Sequence, residues 1–181
     1  MERPTTLKGR IWVIKDERGR LIEDIDTDQI YHNAYLHITD REEMKKYAFN
    51  NLKGYEDFPE KAKPGDILIV GRNFGAGSSR QHAVDCFLAL GISAIVGESF
   101  GAIYRRNAVN SGLPVITCPE LGKAVEEGKL DDGMTVSIDL LTGELKAEPD
   151  GPVLNCRPMS KVELDIYMAG NLFEYGKKLK V

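Results

Sequence analysis

Between Ile67 and Thr117, unbroken apolar blocks alternate with segments whose apolar residues recur at helical spacing. Ile67-Leu68-Ile69-Val70 and Ala94-Ile95-Val96-Gly97 have strand length and no polar alternation, the pattern of strands covered on both faces. Val115-Ile116-Thr117 follows the Gly112-Leu113-Pro114 stop as a third strand. Val84, Phe87, Leu88 and Leu90 mark a helix after the first block, and Phe100 to Ser111 a second helix after the next. Strands alternating with helices of this length predict a parallel sheet with crossover connections. Upstream, Leu7 to Ile14 is a strand followed by turn chemistry at Asp16-Glu17-Arg18-Gly19. Ile22 to Asp40 has no period and predicts a long structured loop, after which Asp40 or Thr39 caps a helix running from Arg41 to Asn50, with Glu43 at the capping-box position. Downstream, a short helix spans Leu121 to Glu127. Met134 to Asp139 and Glu144 to Ala147 form a hairpin through Leu141-Thr142-Gly143, and Ser160 to Ala169 is helical. Without repeats or low-complexity linkers, the whole span 1–181 reads as one α/β domain, a mainly parallel sheet flanked by helices, with β-hairpin additions at both ends.

Composition narrows the class. A chain of 181 residues, 42% apolar and 29% charged, is neither disordered nor fibrous. With 24 Lys and Arg against 28 Asp and Glu, and no stripe of interleaved aromatic and basic residues, it has no footprint for nucleic acid. No apolar run approaches the roughly eighteen residues of a membrane span, and Met1-Glu2-Arg3-Pro4 lacks the apolar stretch of a secretory signal, so the expected location is cytoplasmic. Cys86, Cys118 and Cys156 form no C-x-x-C pair; they fit neither a zinc site nor a disulfide framework, and they are poorly placed for an iron-sulfur cluster held by thiolates.

The densest chemistry is Gly75-Ala76-Gly77-Ser78-Ser79-Arg80, between the first buried strand and its helix. Ligands gather at such carboxyl ends of strands, and free N–H groups in a first helical turn suit an anion. Arg80 adds a fork that grips a carboxylate or phosphate with two hydrogen bonds. No Lys follows Gly77, so the stretch is not a Walker A loop, and Arg80 stands where a dinucleotide fingerprint needs a third small residue. A plain capped helix, with Ser78 or Ser79 as N-cap, is the competing structural reading.

G-x-G-S-S-R followed by Gln81-His82-Ala83 resembles the signature of the swivelling domain of the aconitase superfamily. In length, the chain is similar to the freestanding small subunits of isopropylmalate dehydratase and homoaconitate hydratase. The same resemblance extends to Asp26-Thr27-Asp28-Gln29-Ile30, Tyr35-Leu36, Ser99-Phe100-Gly101, Arg105-Arg106-Asn107 and Ser111-Gly112-Leu113-Pro114. It implies an aconitase-type swivelling β/β/α fold and a hydro-lyase that dehydrates a hydroxy di- or tricarboxylate and rehydrates it at the neighbouring carbon. By position, Ser78 is the base, and Ser79 and Arg80 hold substrate carboxylates; Gly75 and Gly77 shape the loop. A 4Fe-4S cluster on a separate large subunit accepts the hydroxyl, and this chain binds none. The family often has Glu where this chain has Gln81, which makes the field beside Arg80 more positive.

A serine hydroxyl ionises far above neutral pH, so an alkoxide at Ser78 needs on the order of 8 kcal/mol at about 1.36 kcal/mol per unit. A helix end supplies about 0.3–2 kcal/mol, which leaves the isolated chain inactive. Burial against the cluster-bearing partner closes the gap.

The segment 26–39 is the expected substrate-choosing loop, exposing Tyr31, His32, Asn33, Tyr35 and His37. In the related enzymes the residue after Tyr-Leu is Arg where the distal substrate group is a carboxylate and apolar where it is alkyl. Here it is His37, which serves either; isopropylmalate (leucine biosynthesis) is the favoured substrate, with homoaconitate and 2-methylmalate or citraconate as the alternatives. Asp26 and Asp28 are turn or capping groups or members of the site. His32, His37 and these acids lack metal-ligand spacing. A stand-alone anion- or nucleotide-binding module is the reading from a different class.

Overall fold

The computed structural model describes residues 2–179. Seven strands form one sheet in the order β4-β3-β2-β1-β5-β6-β7: β1 (Thr6–Val13), β2 (Ile67–Val70), β3 (Ala94–Gly97), β4 (Val115–Thr117), β5 (Thr135–Asp139), β6 (Glu144–Ala147) and β7 (Val153–Asn155). The β1-β2, β2-β3 and β3-β4 pairs are parallel, and β1-β5, β5-β6 and β6-β7 are antiparallel. The predicted parallel sheet is therefore one half of the structure, and β1 joins it to an antiparallel half that grows from the predicted hairpin. Beyond β1, a Lys15–Leu21 bridge closes the turn at 16–20.

Each residue of β2 is fully buried, because its two faces feed two cores. Ile67 and Ile69 point into one with Leu121, Val136, Ile138 and Leu154. Leu68 and Val70 point into the other, whose centre is aromatic: Phe49, Phe58, Phe74, Phe87 and Tyr104. Phe49 meets Phe58 and Phe87 edge-on, each at 5.1 Å between ring centres, the arrangement the ring quadrupoles favour.

The helices are α1 (Thr27–Ile30), α2 (Arg41–Met44), α3 (Phe58–Lys61), α4 (His82–Leu90), α5 (Ala102–Asn110), α6 (Leu121–Glu126), α7 (Lys161–Ala169) and α8 (Leu172–Leu179). Two expectations are corrected. The helix read over 41–50 is a single turn, α2, capped by Asp40, and continues only as a 3-10 turn over Lys45–Tyr47. Ala48 then turns extended and Phe49 takes a φ of 59°, because Phe49 goes into the aromatic core and its N–H donates to Ile30 O. Glu43 does not complete a capping box; its carboxylate pairs with Lys46 at 3.0 Å. Secondly, neither Ser78 nor Ser79 caps α4, whose preceding residue is Gln81, with no side-chain cap. At the other end, Ser160 and Glu163 do form a full capping box on α7. Among the described residues, no helix is long and apolar enough to cross a membrane.

Candidate active site

Three loops leave the carboxyl ends of β1, β2 and β3 and are knitted together by backbone hydrogen bonds. From the loop after β1, Asp24 N–H donates to Arg72 O, and the loop accepts Gly75 N–H at Ile25 O, 2.8 Å away. Thr27 N–H closes the pairing on Ala76 O. From the loop after β3, Gly101 N–H donates to Phe74 O, while Ser99 Oγ accepts Asn73 N–H at 2.8 Å. Phe74, buried in the aromatic core, anchors the glycine loop from below. Gly75 and Gly77 have φ of +81° and +95°, a region that side chains disfavour. At Gly75 a Cβ would also overlap the Tyr104 ring.

The loop delivers Gly77, Ser78 and Ser79 to an exposed edge. Among the described residues, none of the backbone N–H groups from Gly77 to His82 has an acceptor. Such a run of free donors at a helix start is an anion-binding surface. Ser78 is fixed by its carbonyl, which accepts from the buried Thr27 Oγ1 at 3.0 Å, so its hydroxyl is left to the open side. Arg80 is held from α1: Nη1 donates to Asp28 Oδ1 at 3.0 Å and to Tyr31 O at 2.7 Å. Asp28 also accepts from Asn33 N–H at 2.9 Å and from Asn51 Nδ2 at 3.2 Å. The Asn33 amide first, and then the Arg80 guanidinium, hold the Asp28 carboxyl below its ordinary range.

The remaining predicted residues divide. Asp26 is consumed locally as the N-cap of α1, in a capping box with Gln29. Tyr31 is not exposed as expected: it is fully buried, its hydroxyl donates to Tyr35 O at 2.7 Å, and burial pushes its pKa up to about 12. Tyr35 stacks its ring on Tyr47 at 3.9 Å instead of presenting it to a ligand. His32 Nδ1 accepts from Ala34 N–H and caps a 3-10 turn. His37 lies exposed, with no hydrogen bond to the described residues.

Gln81 does not touch Arg80. Its Nε2 donates to Asp85 Oδ1 at 3.0 Å and to Ser111 Oγ at 2.7 Å, linking α4 to the end of α5. Arg105 points away from the glycine loop, to Glu163 of α7 at 2.7 Å. Asn107, mentioned at the sequence level only within a motif, donates from Nδ2 to Ser79 Oγ at 3.1 Å. All three cysteines are free and buried, Cys86 in the aromatic core and Cys118 beside Cys156 in the other. The hydrogen bond between Cys118 and Cys156 lowers the Cys118 pKa and raises that of Cys156. Among the described residues no three His, Cys, Asp or Glu side chains gather as metal ligands.

The family described as the aconitase C-terminal domain matches residues 17–121, a span that holds the loop after β1, the glycine loop and α5. The chain belongs to the aconitase C-terminal domain family. Within this family it is 38% identical over 172 residues to "3-isopropylmalate dehydratase small subunit 1" of Methanopyrus kandleri, an alignment covering 95% of this chain and 93% of that one. It is 39% identical to "Isopropylmalate/citramalate isomerase small subunit" of Methanocaldococcus jannaschii, covering 95% and 94%. A crystal structure of 3-isopropylmalate dehydratase from Methanocaldococcus jannaschii superposes with a TM-score of 0.82 at 34% identity, covering 97% of this chain and 95% of that one. The aconitase-type fold and the membership of this chain among these small subunits follow.

Proposed function

We propose that the chain is the small, swivelling subunit of a hydro-lyase that interconverts 2-isopropylmalate and 3-isopropylmalate by dehydration and rehydration, a cytoplasmic step of leucine biosynthesis. The observation that carries this reading is the open half-site: two serine hydroxyls and a run of free N–H groups at an exposed edge, with the pinned, largely buried Arg80 guanidinium beside them. In this reading one substrate carboxylate lies on the free N–H groups and on the second fork of Arg80, with Ser79 donating to it. That places the carbon beside the carboxylate at Ser78, whose alkoxide takes the proton to become the hydroxyl and returns it in the reverse direction.

Ser78 cannot do this alone. The deficit of about 8 kcal/mol at roughly 1.36 kcal/mol per unit exceeds what an exposed loop supplies. Burial of the loop against a large subunit strengthens each of the local dipoles and the Arg80 charge. The departing hydroxyl needs a Lewis acid, which in this family is a 4Fe-4S cluster. The described residues here do not fit it, because Cys86 is buried in a different core from Cys118 and Cys156. In the proposal the cluster therefore belongs to the partner.

The relative named for citramalate makes a shorter alkyl group the first competing substrate, and homoaconitate the second. The test is to purify the chain with candidate large subunits from the same genome and assay hydration of 2-isopropylmaleate, citraconate and cis-homoaconitate. The expected order has 2-isopropylmaleate first, with no turnover by the isolated chain. A stronger preference for either other substrate replaces the substrate assignment, and no hydration with any of them removes the hydro-lyase reading.

A further inference from the structure

We infer that Asn107 is a positioning residue, which fixes the direction of the Ser79 hydroxyl proton and with it the grip on the substrate carboxylate. The inference rests on the function proposed above. One face of α5 lies along the glycine loop like a ruler. Tyr104 closes against Gly75 and donates its hydroxyl to Ala83 O at 2.9 Å; Asn107, three residues on, reaches Ser79; Ser111, four further, reaches Gln81. Residues three and four apart share a helix face, so one rigid element sets three points of the loop at once. The helix is held on its other side by the Arg105–Glu163 ion pair with α7.

A serine hydroxyl has one proton and two lone pairs. Because Asn107 Nδ2 donates to Ser79 Oγ, it occupies a lone pair and the proton cannot turn toward Asn107. The proton is left to point outward, over the exposed edge where the free N–H groups collect an anion. Asn is suited to this task, since Asp at the same place is an acceptor only and draws the Ser79 proton inward.

The experiment compares Asn107→Ala, Asn107→Asp, Ser79→Ala and the double variant Asn107→Ala/Ser79→Ala, each in the two-subunit enzyme, by KM, kcat and thermal stability. Asn107→Asp is nearly isosteric, so it keeps the shape but reverses the hydrogen bond and adds a negative charge, which is why Asn107→Ala, which adds none, is read beside it. The KM of Asn107→Asp is expected to rise by about tenfold or more, the loss of one charge-assisted contact. Its kcat should fall less than KM rises, and its melting temperature should stay that of the parent. Asn107→Ala should fall between parent and Asn107→Asp, and should add nothing to Ser79→Ala. If the parent pair is active but Asn107→Asp keeps the parent KM, or the Ala penalties multiply, this inference alone fails. If the parent pair hydrates nothing, the functional reading fails and takes the inference with it.

Discussion

Gly75 and Gly77 are two residues apart in the same loop, both with positive φ, yet they differ in what a methyl group would meet. At Gly77 the nearest atom to an added Cβ is Thr27 Oγ1 at 3.6 Å, which is ordinary contact. Gly77→Ala therefore costs only the left-handed backbone, about 1–2 kcal/mol. At Gly75 the same backbone cost is joined by overlap with the Tyr104 ring, which is fully buried among Phe74 and Phe87 and anchored through its hydroxyl to Ala83 O. Forcing a methyl into such a packed site costs about 1–3 kcal/mol more. Gly75→Ala is expected to lie at least about 1 kcal/mol below Gly77→Ala, which for a chain of this size is roughly 2–4 °C in melting temperature. Urea unfolding of the two variants, read by tryptophan fluorescence at Trp12, gives the comparison directly. Equal stabilities would refute the reasoning, because they would show that Tyr104 does not back the loop.

Removing the counterion of Arg80 by Asp28→Asn keeps a hydrogen-bond acceptor but deletes the charge. The Arg80 side chain is 11% exposed and that of Asp28 40%, so solvent screens part of the loss and the expected cost is about 1–2 kcal/mol. Because the Asp28 pKa is lowered on folding, its contribution is present above the unfolded carboxylate value and disappears as pH falls through the folded one. The gap between parent and variant, measured by unfolding at pH 7 and again below pH 3, should therefore shrink in acid; a gap constant with pH contradicts the pairing. His37→Arg is expected to move substrate preference toward a distal carboxylate, raising the kcat/KM ratio of cis-homoaconitate to 2-isopropylmaleate; an unchanged ratio removes His37 from substrate choice.

What was legible in the sequence followed from short range. β2, β3 and β4 were visible because both faces are buried and the chain records this as unbroken apolar blocks. The glycine loop was visible because its backbone demands and its polar groups are adjacent in sequence. β7 was missed because only Leu154 of its three residues is buried, and α8 because Leu172, Phe173 and Leu179 stay exposed, leaving no core-facing signal. The α2 helix was overextended because Phe49 leaves helical geometry for a tertiary contact that no local pattern records. In the site, the partners of Ser79 and Arg80 were illegible for the same reason: Asn107 is 28 residues from Ser79, and Asp28 is 52 from Arg80. Tyr31 looked like a loop residue among polar neighbours, yet it fills the aromatic core beside His82 and Tyr47.

The most direct test is Ser78→Ala in the purified two-subunit enzyme, with hydration of 2-isopropylmaleate followed as loss of the unsaturated acid. The expected result is a drop in kcat of about three orders of magnitude or more, roughly 4 kcal/mol of barrier, with the two subunits still co-eluting and the substrate still retained. A Ser78→Ala enzyme that turns over at the parent rate would contradict the claim that this loop supplies the base.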